Sequence, residues 1–340
     1  MKLKNSFGNK LEQFREKYTL GNMFDGTLDF IDTVNVNKLL TEDYSIALVL
    51  MYEAIDQNRV LSDKLVRVIN KNIEHESKIN VYLITDWLRT TLTLGKPIHD
   101  VFMQCASLIG YMFPDIKPCI GFNLHNTHHK HTVYEHMLYV VDNCDSNKFE
   151  VKLAALFHDV GKPTVFYTDD AGVGKTVGHP RESAEIIKKA FDFYIKLSKK
   201  EIDYIYELIL IHDRFIVPTD RGIRKILSQY DIGFMDDYCS LKKADMADHT
   251  SNDGIWKNFS IDEFKHRIHE IYENNKNFGT KDLRLTKQDI INEVGTVPDK
   301  VMDSILLNLV KAVLSGQVKN NYDDLIKNID TLHNKTKIRR

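Results

Sequence analysis

Apolar residues recur every three or four positions along almost the whole chain, and this limits its fold more than any other feature. The segments "EDYSIALVLMYEAI" (42–55), "VYLITDWLRTTLTL" (81–94), "KKEIDYIYELILIHD" (199–213) and "KVMDSILLNLVKAVL" (300–314) each carry a stripe at helical spacing. Only seven prolines and sixteen glycines interrupt the 340 residues, mostly between these segments. Strand-like alternation bounded by turn residues is scarce. One stretch reads as a hairpin, "TVFYTDDAGVGKTVGH" (164–179), with two short β-prone runs around "DDAGVG". The expectation is an all-α protein, a helical bundle with flanking helical modules at both ends and one small β-hairpin near 164–179.

Three regions follow from where the chemical groups lie. Residues 1–120 read as helical and hold no cluster of reactive side chains. Residues 121–268 hold most of the histidines. Residues 280–340 read as a short helical module ending in the basic tail "HNKTKIRR", and the polar stretch "HEIYENNKNFGTKD" (269–282) reads as a linker before it. Basic and acidic residues nearly balance, 46 against 48, so any RNA contact is expected to be local rather than spread over the surface. No motif for reading DNA sequence is present. The four cysteines, Cys105, Cys119, Cys144 and Cys239, show no C-x-x-C spacing and read as reduced core thiols of a cytoplasmic protein. The opening "MKLKNSFGNKLEQF" has no apolar stretch behind its basic residues, so it does not read as a signal peptide. The greasiest run, "IALVLMYEAI" (46–55), is too short to span a bilayer. No membrane partner is expected, and nothing in the sequence sets an oligomeric state.

The chemistry starts at "LAALFHDVGKP" (153–163). Helical spacing puts His158 on the face of Val151, Ala154 and Ala155, and Gly161 with Pro163 ends the helix just beyond. An inward histidine beside an aspartate is costly unless it is paired or holds a metal. A core histidine bonded to a backbone carbonyl would account for such a pair standing alone. This one has company. His136 lies on the stripe of Val133 and Val140; His179 stands before a helix that Pro180 would start. His212 shares a face with Ile205 and Leu208, and Asp245 lies among Leu241 and Met246. Five polar groups on the core sides of separate helices point to a shared ligand, one or two metal ions held between helices. By the residues alone, His179 could equally cap its helix, and a neighbour could replace His212. His125, His128, His129 and His131 crowd "FNLHNTHHKHTVYEH" (122–136), where His129 is a candidate phosphate contact at the pocket mouth. Asp248 and His249 follow Asp245 at helical spacing and read as solvated surface.

The order H…HD…H…H…D resembles the HD superfamily of metal-dependent phosphohydrolases, which are all-helical. The resemblance implies a first metal site of His136, His158, Asp159 and Asp245. It implies a second of His179 and His212, with Asp159 bridging the two ions. A closer likeness lies in "GFNLHNTHHKHTVYEHML" (121–138), "KLAALFHDVGKPTVF" (152–166), "GHPRESA" (178–184) and "LVKAVLSGQVKN" (309–320). These stretches resemble the HD region and carboxy-terminal module of bacterial tRNA nucleotidyltransferases, the CCA-adding enzymes. The first 120 residues fit the helical neck and body of that family more loosely. No glycine-rich strand-turn and no D-x-D followed by strand-like sequence precedes residue 120, so the nucleotidyl-transfer head is not expected here.

What the resemblance implies is a metal-dependent phosphohydrolase acting on nucleotide or RNA 3′-end phosphoesters. The reaction would be that of a 2′,3′-cyclic phosphodiesterase, a 2′-nucleotidase or a phosphatase. Asp159 and Lys162 are its catalytic residues; Lys162, Arg181 and His129 are its substrate contacts. Mixed nitrogen and oxygen ligands suit manganese, nickel, cobalt, iron or zinc better than magnesium. Two alternatives stand beside it. One is a tRNA-binding module with a structural or vestigial metal site. The other is a subunit that joins a separate nucleotidyltransferase head.

Overall fold

The computed structural model describes residues 6–125, 130–247, 260–275 and 279–337. Helices dominate, and the chain divides into two compact units. The first comprises residues 1–213 and 240–253, the second residues 214–239 and 254–340.

The first unit contains α1 (Ser6–Lys17), α2 (Val36–Glu42), α3 (Ile46–Asp56), α4 (Asp63–Lys71), α5 (Val81–Leu92), α6 (His99–Gln104) and α7 (Ala106–Met112). It continues with α8 (Val133–Asn143), α9 (Phe149–Phe157), α10 (Lys162–Val165), α11 (His179–Tyr194) and α12 (Lys199–Ile211). The second unit contains α13 (Asp220–Leu227), α15 (Ile261–Asn275), α16 (Lys287–Val294), α17 (Asp299–Leu314) and α18 (Tyr322–Lys337). Helix α14 (Ile232–Ala247) belongs to the second unit up to Cys239 and to the first from Ser240. No helix among the described residues is long and apolar enough to cross a membrane. The four cysteines are all buried.

Helix α9 is the centre of the first unit. Eight of its nine residues are buried, seven apolar ones and Lys152, so the helix is covered on every side rather than along one stripe. Helices α5, α8 and α12 pack against it. Phe157 meets Phe113 and Phe191 edge-on at 5.9 and 5.6 Å. The buried Lys152 donates to the carbonyls of Val141 and Cys144 at 2.6 and 2.7 Å, satisfying the last turn of α8. In the second unit, α16, α17 and α18 enclose a separate core around Ile290, Ile305, Leu309, Leu325 and Ile329.

The expected hairpin is present as β3 (Tyr167–Thr168) and β4 (Gly174–Lys175) once two strands before it are counted. Those two, β1 (Leu20–Asn22) and β2 (Leu28–Phe30), form a second antiparallel hairpin inside the region read as wholly helical. Three-residue strands are too short to show alternation. The available signal was "DG" at Asp25–Gly26, where Gly26 takes φ +81°. The polar stretch expected as a linker is also partly helical: α15 continues through Asn275.

Candidate metal centre

Each expected ligand sits where its element starts, ends or turns inward. His136 lies on the buried face of α8, whose start Thr132 caps by accepting from Glu135 N. His158 follows the last residue of α9, and Asp159 follows it as the chain turns towards α10. His179 is the first residue of α11, and Gly178 before it takes φ +86°, a left-handed turn that an L side chain would strain. His212 follows α12, and Asp245 lies in the last turns of α14. All six side chains are buried.

Three imidazoles are fixed in the same way. Nδ1 of His158, His179 and His212 lies 2.8, 2.9 and 2.7 Å from the carbonyl three residues earlier: Ala155, Thr176 and Ile209 respectively. A carbonyl only accepts, so each Nδ1 carries the hydrogen and each Nε2 presents a lone pair. Those lone pairs converge. His179 Nε2 and His212 Nε2 lie 3.3 Å apart, and His158 Nε2 lies 3.3 Å from the ring nitrogen of His136 that also faces Asp245. Two lone pairs at that distance repel unless a proton or cation lies between them. Nitrogens bound to one ion at about 2.0–2.1 Å lie about 3.0–3.4 Å from each other, so the spacing suits a shared metal.

Asp159 stands between the two histidine pairs. Its Oδ2 is 3.3 Å from His158 Nε2 and 3.4 Å from His136 Nε2. Its Oδ1 is 3.2 Å from His179 Nε2 and 3.8 Å from His212 Nε2. Asp245 Oδ1 adds to the first pair, 3.2 Å from His136 Nε2. His136, His158 and Asp159, and likewise Asp159, His179 and His212, are each placed closely enough to hold one ion. Both Asp159 oxygens are buried; Oδ2 is met by the Lys162 ammonium, while Oδ1, despite its near imidazole nitrogens, makes no hydrogen bond of acceptable geometry. A buried oxygen without such a bond needs another partner. A cation held jointly with the imidazoles fits that need and this donor set.

Electrostatics keep the donors in ligand form. Burial alone would raise the Asp159 carboxyl, but the neighbouring His158 imidazole and Lys162 ammonium outweigh it and hold it well below the usual carboxylate range. Lys162 Nζ is 2.6 Å from Asp159 Oδ2 and is itself buried. Burial likewise opposes ionisation of Asp245, and Lys242 with the His136 hydrogen bond overcomes it. For His212, burial first, then the neighbouring His158 and His179 imidazoles, pushes the ring well below the ordinary histidine range.

The His212 shift has a measurable consequence. The unfolded chain takes up that proton first, so the stability of the metal-free protein is full above pH ~6.5 and falls as pH drops below it. The expected loss from this group is about 1.4 kcal/mol per pH unit while it stays neutral in the fold. Thermal midpoints of metal-free protein between pH ~7 and ~5 measure it, and His212→Gln should flatten the slope. A slope indifferent to that substitution would contradict the depressed value.

Arg181 is exposed, in the first turn of α11. His129 lies outside the described residues, as do His128, Asp248 and His249. His125 is exposed, and His131 pairs with Glu135 at 3.2 Å and packs on Tyr139. Sequence reading missed Lys242, buried on α14 with Nζ 3.3 Å from Asp245 Oδ2. Its only signal was a place one helical turn before that aspartate.

Residues 128–252 match the HD domain family model, a span that holds all six converging side chains. The CC-adding tRNA nucleotidyltransferase of Thermus thermophilus is 30% identical over 125 residues, which cover 35% of this chain. The matched part spans only 28% of that relative's length. The solved CCA-adding enzyme of Bacillus stearothermophilus, in complex with CTP, superposes with a TM-score of 0.57 at 14% identity. That superposition covers 98% of this chain and 76% of the other, and it is a likeness of fold. Residues 128–252 therefore match the HD domain, and the chain is similar to part of the tRNA nucleotidyltransferases.

Proposed function

We propose that this chain is a metal-dependent phosphohydrolase acting on nucleotide or RNA-end phosphoesters, of the 2′,3′-cyclic phosphodiesterase, 2′-nucleotidase or phosphatase type. The observation that carries the reading is Asp159, a buried carboxylate whose two oxygens face two separate histidine pairs. His136, His158, Asp159 and Asp245 would hold one ion; Asp159, His179 and His212 would hold a second. Two such ions, when bound, would supply Lewis acidity to a phosphoryl oxygen and would bring the pKa of a water into the neutral range. The protein's own part is to present the donors already deprotonated and oriented. The three Nδ1–carbonyl hydrogen bonds do this for the imidazoles, and nearby lysines do it for the carboxylates. Lys162 adds a fixed positive charge beside Asp159, suited to charge gathering on the non-bridging oxygens. Arg181, at the exposed start of α11, is the proposed second phosphate contact, and His129 a third. Nitrogen-rich ligation favours manganese, nickel, cobalt, iron or zinc over magnesium, and the buried thiols suit a cytoplasmic setting.

The second reading is tRNA binding, alone or with a separate nucleotidyltransferase subunit, with the metal site structural. What supports it is that the curated relative is a tRNA nucleotidyltransferase. One series of measurements separates the two. The metal content of the purified chain is determined. Turnover of bis-p-nitrophenyl phosphate and of a panel of cyclic and linear nucleotides is then followed with manganese or nickel. Metal-dependent product release is expected. A chain that holds its metal tightly and turns over none of these compounds would leave the structural reading in place.

A further inference from the structure

Lys242 touches the ligand Asp245 and the residue after His212 without being a ligand itself. Its side chain is 6% exposed, and its Nζ lies 3.3 Å from Asp245 Oδ2 and 3.3 Å from Asp213 Oδ1. Burying an ammonium costs several kcal/mol unless good partners offset it, and a packed apolar side chain is often as stable or more so. Packing therefore gives little reason for a lysine here. The two carboxylates it joins give a better one. Asp245 turns Oδ1 towards His136 and His158, at 3.2 and 3.8 Å, and leaves Oδ2 to the lysine. Asp213 directly follows His212, so the same ammonium ties the end of α12 to the inward turn of α14. The arrangement repeats that of Asp159 and Lys162, also three residues apart.

We infer that Lys242 is a positioning residue of the metal centre: it fixes Asp245 so that Oδ1 alone reaches an ion, and it couples that ligand to the His212 segment through Asp213. This rests on the metal-centre reading given above. A partner that orients a ligand is typically worth about 10–100-fold in metal affinity.

The test is metal affinity rather than turnover, measured by competition with a chromophoric chelator, using zinc or manganese alone as probe. Lys242→Met is expected to bind about 10–100-fold more weakly than the natural chain. Lys242→Arg keeps a charged donor and should recover part of the loss. A purely structural lysine would lower the melting temperature of the metal-free protein and leave affinity and stoichiometry unchanged; that result overturns the inference. Should Lys242→Met fail to fold, Asp213→Asn takes its place, because Asp213 is 56% exposed and its change spares the core. Losing that exposed anchor should weaken binding about three-fold, and no change would again overturn the inference. A natural chain that binds neither metal defeats the metal-centre reading itself. One that binds, with affinity indifferent to these substitutions, defeats only the role of Lys242.

Discussion

Asp159→Asn should strip metal from both ligand groups at once and abolish turnover. The asparagine has nearly the shape of the aspartate, so the substitution removes charge and one acceptor without opening a cavity. Its amide must turn its NH2 towards one of the two histidine pairs, placing a donor where a cation would need an acceptor. Either orientation leaves one histidine pair without its carboxylate oxygen. Loss of a single electrostatic contact in a buried site costs about 10²–10³ in rate. A group serving two ions should cost at least the upper figure, so a fall of about 10³-fold or more is expected. Metal analysis and bis-p-nitrophenyl phosphate turnover read the two effects separately. The fold should persist but weaken. Lys162, 2.6 Å from Asp159 Oδ2, would be left buried without its counter-charge, a change worth about 3 kcal/mol or more in the metal-free protein. Full metal content with unchanged turnover would remove Asp159 from the centre, and the hydrolase reading with it.

The helices and the converging side chains were legible in the sequence for the same reason. A soluble helix puts polar groups outward, so His136, His212 and Asp245 on apolar stripes were anomalies at known positions. The structure brings them to one place. The stripe argument worked less well for His158. Helix α9 is buried on all sides, so its sequence has no single inward face, and His158 gets its direction from the Ala155 carbonyl after the helix has ended. Lysines were the harder case. Lys152, Lys162 and Lys242 are all buried, whereas lysine is among the residues least often buried, so sequence alone assigns it to the surface. What reverses that is a partner brought in by folding: two carbonyls at the end of α8 for Lys152, and Asp213 for Lys242. The β1–β2 hairpin stayed hidden because its register, Leu20↔Phe30 to Asn22↔Leu28, spans too few residues to leave a period.

Gly161→Ala should release one ligand group and spare the other. The glycine is not there for backbone freedom, since its φ of −80° suits any residue. It is there because α11 crosses against it. A Cβ at 161 would sit 2.5 Å from Ser183 N, 2.9 Å from Glu182 Cβ and 3.0 Å from Glu182 C. Two of these are backbone atoms of a helix, which cannot swing aside as a side-chain end can. The hydrogen bond from Gly161 N to Ser183 Oγ, 2.9 Å, would have to lengthen with them. Helix α11 must therefore retreat, and it takes His179, its first residue, away from Asp159 and His212. Overpacking of this kind costs about 1–3 kcal/mol, and a backbone clash belongs at the top of that range. His136 and Asp245 are carried by α8 and α14, so their group should keep its ion. The expected result is a lower melting temperature and a metal content reduced by the share of the His179–His212 group rather than abolished. Loss of all metal would mean that the two groups bind only together. An unchanged melting temperature with full metal content would mean that the approach of α11 to Gly161 does not place His179.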